Sequence, residues 1–96
     1  MSLQGYGQVL KPTRLFTRLN VAGPIIRKLR SDKDWSQVKL AEKCQLAGWD
    51  ISRDTIANIE GQRRWVADHE LIILAEVFGV EIRHLLPESK ANGRIS

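Results

Sequence analysis

Apolar positions from Ile25 to Leu86 recur at intervals of three and four residues, and no stretch alternates with a period of two. That spacing gathers apolar side chains on one face of a helix, so the chain reads as all-α, with five short helices. The first opens at Gly23-Pro24, because a proline's missing amide costs nothing in the first turn. Ile25, Ile26 and Leu29 form its stripe, and it ends near Lys33. Ser36 is the N-cap of the second, in which Leu40, Ala41, Cys44 and Ala47 share a face and Gly48 supplies the stop. Ser52 caps the third, from about Arg53 to Glu60, with Ile56 and Ile59 inward and Arg53, Asp54, Ala57 and Asn58 outward; Gly61 ends it. Asp68 caps the fourth, where Leu71, Leu74, Ala75 and Phe78 give the clearest stripe and Gly79 closes. A fifth runs from Glu81 to Leu86, with Ile82, Leu85 and Leu86 toward the core, and stops at Pro87.

This pattern divides the chain of 96 residues into an N-terminal arm (1–22), one helical domain (23–87) and a polar tail (88–96). Gly5, Gly7 and Pro12 interrupt the arm, which is expected to be partly mobile; Leu15, Phe16 and Leu19 are spaced for one helical turn that could dock on the domain or on a partner. A chain this short buries only about 60% of its unfolded surface and has room for one core. No apolar run approaches the roughly 20 residues of a membrane span, and no basic segment leads into an apolar one, so a soluble cytoplasmic protein is expected. Cys44 is the one cysteine, which rules out an internal disulfide and agrees with a reducing compartment.

Charge changes the picture through its distribution. The net charge of +4 points toward nucleic acid, because Lys and Arg displace counterions from phosphates. Gly23 to Pro87, however, carries ten basic and ten acidic groups, so the excess lies in the flanks. Asp68, Glu70, Glu76 and Glu81 fall late, which predicts an acidic side with Arg53, Arg63 and Arg64 clustered elsewhere.

Taken in order, these residues resemble the phage Cro and repressor type of helix-turn-helix, also called the xenobiotic-response-element type of bacterial regulator. The resemblance spans roughly Gly23 to Pro87. It rests on Gly23, Ile26, Leu29 and Arg30; Ser36-Gln37 with Leu40-Ala41; Ser52, Thr55-Ile56 and Ile59-Glu60-Gly61; then Leu71, Leu74-Ala75, Gly79-Val80 and Leu85-Leu86. It implies a lambda-repressor-like domain that places its third helix in the major groove of double-stranded DNA, usually as a homodimer on a two-fold operator.

By that resemblance Arg53 is the leading base reader, its fork of donors suited to guanine O6 and N7. Asn58 could bond adenine or a phosphate, and Thr55 a phosphate or a thymine methyl. Asp54 could accept from cytosine N4, orient Arg53, or only favour the positive helix end. Gln37 is expected to bond the DNA backbone and brace the third helix, with Ser52, Arg63 and Arg64 also beside the backbone, where contacts position without specifying. Arg30 and Glu60 are expected to form an orienting ion pair.

The chain departs from this family between Cys44 and Ser52, about five residues longer than the usual turn; a second helix prolonged to Ala47, with Trp49 folded back as an anchor, accounts for the excess. Trp65 has three open roles: core cover, a stack on sugar and phosphate, or a subunit contact. Cys44, His69 and His84 match no zinc spacing, and no phosphate loop, nucleophile elbow or acid and base pair appears, so neither metal, cofactor nor catalysis is expected. The alternative reading is a protein-binding adaptor or antitoxin on the same fold, holding a protein partner on the late acidic helices or the N-terminal turn.

Overall fold

A computed structural model describes residues 18–88. The apolar turn expected from Thr13 falls outside the described residues up to position 17, as does the tail beyond Glu88. Four α-helices follow one another: α1 (Gly23–Asp32), α2 (Gln37–Leu46), α3 (Arg53–Glu60) and α4 (Asp68–Phe78), then one 3₁₀ turn, Ile82–Leu85. The expected fifth helix is therefore that single turn. Only Leu85 from it is buried; Ile82 and Leu86 are partly exposed, contrary to the core positions expected for all three.

The core is where the predicted stripes meet. Ile26 of α1, Leu40 and Cys44 of α2, Ile56 and Ile59 of α3, Leu74 of α4 and Leu85 are fully buried. α3 packs against both α1 and α2, and α4 against α2 and the 3₁₀ turn. α3 is thus held on its inner side by two helices.

Each helix closes in the same way. A residue in the left-handed region follows the last turn, and the next amide reaches back five positions, the Schellman arrangement that satisfies terminal carbonyls. These bonds are Trp35 N–H to Arg30 O (3.1 Å), Trp49 to Cys44 (2.9 Å), Arg63 to Asn58 (2.8 Å) and Val80 to Ala75 (3.0 Å). The left-handed residues are Asp34 (φ 60°), Gly48 (φ 99°), Gln62 (φ 63°) and Gly79 (φ 73°). Gly48 and Gly79 fall where expected. Gly61 does not, because its φ is −84° and Gln62 makes the turn instead.

At the other ends, the Ser36 hydroxyl accepts from the Lys39 amide at 2.9 Å and that of Ser52 from the Thr55 amide at 3.2 Å. The α4 start differs from expectation: Ala67 stands at the cap and Asp68 is already helical. The compensating acceptor is Glu70, whose Oε1 takes the Ala67 N–H at 3.0 Å, half of a capping box.

α2 runs two residues past Cys44, and Ala47 to Ser52 form the connection. Ala47 is exposed rather than on the inner stripe, because it is the capping residue that has left the helix. The connection folds inward through buried Ile51 and half-buried Trp49, and Gln45 Nε2 donates to Ile51 O at 2.7 Å. The five-residue excess is therefore shared between a longer helix and a pinned loop.

Gly23 is required by crowding. A Cβ there would overlap the Ile59 carbonyl oxygen and lie 2.9 Å from that of Glu60. The first turn of α1 thus touches the last turn of α3 through backbone. Gly23→Ala is expected to lower stability by about 1 to 3 kcal/mol, as overpacking does. Urea denaturation checks this, and a change within about 0.5 kcal/mol, ordinary for a surface site, contradicts the close approach.

Candidate nucleic-acid interface

The inner and outer faces of α3 have opposite characters. Ile56, Ile59 and Glu60 are buried, Thr55 and Ala57 are half-buried, and Arg53, Asp54 and Asn58 are exposed. The three exposed residues fall within one and a half turns on one side, with small Ala57 between them. A surface of this kind can approach another closely and still offer donors.

Behind that face stands a polar cluster centred on Glu60, whose side chain is 3% exposed. Arg30 donates to it twice, Nε to Oε2 at 2.6 Å and Nη2 to Oε1 at 3.0 Å. Gln37 Nε2 adds a bond to Oε1 at 3.0 Å. The third donor of Arg30, Nη1, reaches Trp35 O at 2.7 Å, across the turn between α1 and α2. Bonding to Glu60 holds the Arg30 guanidinium above its ordinary pKa, against the opposing pull of burial. The structure thus brings together Arg30, Gln37 and Glu60, one from each of α1, α2 and α3.

The remaining site residues have specific partners. Arg53 Nη1 lies 3.1 Å from Asp54 Oδ1, an exposed pair at the start of α3. Ser52 Oγ is 3.1 Å from Thr55 Oγ1, so cap and threonine share one bond network. Asn58 Oδ1 accepts from Arg63 Nε at 3.2 Å, and Arg63 Nη2 donates to Ala57 O at 3.3 Å. Arg64, expected beside the DNA backbone, makes its bonds within the domain. Nη1 and Nη2 meet the two oxygens of Glu70 at 2.9 and 3.1 Å, and Nη1 also reaches Trp65 O at 2.8 Å. This second bidentate pair ties the loop after α3 to α4, and it breaks the expected separation of Arg64 from the acidic side.

Three contributors were not anticipated from sequence. Asn20 donates through Nδ2 to Ile59 O (3.0 Å) and Arg64 O (2.8 Å), while its Oδ1 accepts from Gly23 N–H at 2.8 Å. Asn20 therefore satisfies the first amide of α1, whose N-cap position is Ala22, and clasps the end of α3 at once. Trp35 stacks on Phe78 at 5.7 Å with Lys43 above its ring at 4.8 Å, joining the turn before α2 to α4. Glu70 was expected only as part of the acidic side, not as the partner of Arg64.

Cys44 is buried, and desolvation pushes its thiol up to about 11, so it packs as an apolar group. Among the described residues no three metal-ligating side chains cluster, and no helix is long and apolar enough to cross a membrane.

A family model described as helix-turn-helix matches residues 26–85, more than half the chain. The chain belongs to the Cro and repressor type of this DNA-binding family. The helix-turn-helix is formed by α2 and α3, two of the three helices that meet at the Glu60 cluster. The fold also matches the crystal structure of a hypothetical transcription factor, NHTF, from Neisseria, at 25% identity and a TM-score of 0.64, over 88% of this chain and 91% of that one. No curated protein matches.

The second ion pair gives a pH signature. Arg64, with help from the Ala67 amide and against burial, holds the Glu70 carboxyl below its ordinary 4.5. A lowered folded pKa stabilises above the unfolded value, and that contribution is lost as pH falls through the folded one. Stability of the unaltered protein should therefore fall more steeply than that of Glu70→Gln below about pH 4.5, as thermal melts across pH 3 to 6 would read. Parallel curves would show that the pair contributes nothing.

Proposed function

We propose that this helix-turn-helix protein is a sequence-specific transcriptional regulator that inserts α3 into the major groove and binds as a homodimer. The observation that carries the reading is the exposed polar face of Arg53, Asp54 and Asn58 on a helix fixed from behind by Glu60. Base edges in the major groove differ in donor and acceptor pattern, and a rigid helix with a few polar side chains discriminates among them. Arg53 is the main reader, through guanine O6 and N7, and Asp54 orients its guanidinium in the free protein. Thr55 and the capped N-termini at Ser36-Gln37 and Ser52 face the phosphates, where free helical amides favour anions. Arg64 serves the scaffold through Glu70. The protein acts by binding, without cofactor or catalysis, in the cytoplasm where a bacterial or phage operator lies.

The homodimer is supported by Trp65, which is 71% exposed immediately after the α3 turn. It borders an apolar groove of about 310 Å³ lined by Leu19, Val21, Val66, Leu71 and Leu86. A projecting ring beside a recess suits a two-fold contact, in which each copy supplies both. The same patch favours the second reading, a protein partner in place of a second copy.

Arg53→Ala is expected to cost about 1 to 3 kcal/mol and to relax preference at one base pair. Binding measured across a randomised operator library reads this. An even loss over all sequences would remove Arg53 from the reading role.

A further inference from the structure

We propose that Arg63, resting on the reading of α3 given above, is a positioning residue for sequence specificity that sets which atoms Asn58 offers to a base. The left-handed turn at Gln62 brings Arg63 back over the last turn of α3, where its own amide bonds Asn58 O at 2.8 Å. Its side chain then meets two points on the same turn: Nε donates to Asn58 Oδ1 at 3.2 Å and Nη2 to Ala57 O at 3.3 Å. An arginine nitrogen can only donate, so the bond determines which end of the Asn58 amide faces it. Oδ1 is turned to Arg63, and Nδ2 is left outward; among the described residues no group accepts from Nδ2.

Gly61 belongs to the same device. Its φ of −84° suits any residue, so backbone conformation does not require glycine. A Cβ at that position would instead overlap Arg63 Nη1 and lie 2.6 Å from Cζ. Absence of a side chain at Gly61 gives the guanidinium its seat.

The consequence concerns base choice. An asparagine reads adenine by using both amide atoms, Nδ2 to N7 and Oδ1 from N6. With Oδ1 turned toward Arg63 and Nδ2 outward, the atom Asn58 presents is a donor, which suits guanine O6 and N7 or thymine O4. Freeing the amide restores the adenine pattern. Arg63 therefore shapes one base preference and is not primarily a phosphate ligand.

The test compares base preference at every operator position for the full chain, Arg63→Ala, Gly61→Ala and Asn58→Ala, using a randomised double-stranded DNA library. Gly61→Ala displaces the guanidinium while keeping its charge and a compatible backbone. Both Arg63→Ala and Gly61→Ala should move preference toward adenine at the base pair that Asn58→Ala affects, by about five-fold or more, the lower end of bidentate discrimination. Gly61→Ala should leave the salt dependence of binding unchanged, since no charge is lost. A uniform loss of affinity in Arg63→Ala with an unaltered preference profile overturns the proposal, as does an Asn58→Ala profile identical to that of the unaltered protein. Either result, with Arg53→Ala still relaxing one position, leaves the α3 reading intact. A flat profile for the unaltered protein would overturn that reading as well.

Discussion

Everything the domain presents outward depends on the carboxylate of Glu60. It ends α3, accepts three bonds, and draws them from α1 and α2. Because it is nearly buried, an unpaired charge there would be costly, and breaking such a pair by removing one partner costs about 3 to 5 kcal/mol. The bidentate geometry of Arg30 fixes angle as well as distance. A helix of eight residues has few core contacts of its own, so its orientation relies on this cluster together with Ile56 and Ile59. The stabilisation such a pair offers over an apolar replacement is small or negative; its value lies in specifying one arrangement of three helices.

A second set of bonds extends the same logic to the loop after α3. Asn20 ties the start of α1 to carbonyls at Ile59 and Arg64, Gln62 Nε2 returns a bond to Asn20 O at 2.9 Å, and Arg64 reaches across to Glu70. The approach of backbones at Gly23 makes these short reaches possible. The result is that α3 is braced at its end from α1 and α2 and, through the loop that follows it, from α4. Its exposed residues are consequently free to carry function, since none of Arg53, Asp54 or Asn58 is needed by the core.

Much of this was legible in the sequence because it is local. Ser36 and Ser52 announce helix starts by bonding amides three residues on, and Gly48 and Gly79 announce stops by their left-handed backbone. Arg30 and Glu60 were legible only through resemblance, since 30 residues separate them. What stayed hidden has a common cause: one residue type serves several geometries. Gly61 looks like a helix stop, yet the left-handed step is taken by Gln62, a residue that rarely signals it. Arg64 looks like Arg63 in sequence, but a one-residue offset sends one toward Glu70 and the other over α3. Asn20 lies in a stretch without periodicity, and its distant partners come from the last turn of α3 and the loop after it, 39 and 44 residues away. The last helix is a single 3₁₀ turn, and of its apolar residues only Leu85 enters the core.

The proposed role of a helix braced in this way is to read DNA sequence as one half of a symmetric pair. Selection of bound duplexes from a random pool tests it most directly. The expected outcome is enrichment of a two-fold site whose half-site centres lie about 10 base pairs apart, one helical turn. Recovery of an unenriched pool, bound with equal affinity whatever its sequence, would contradict it.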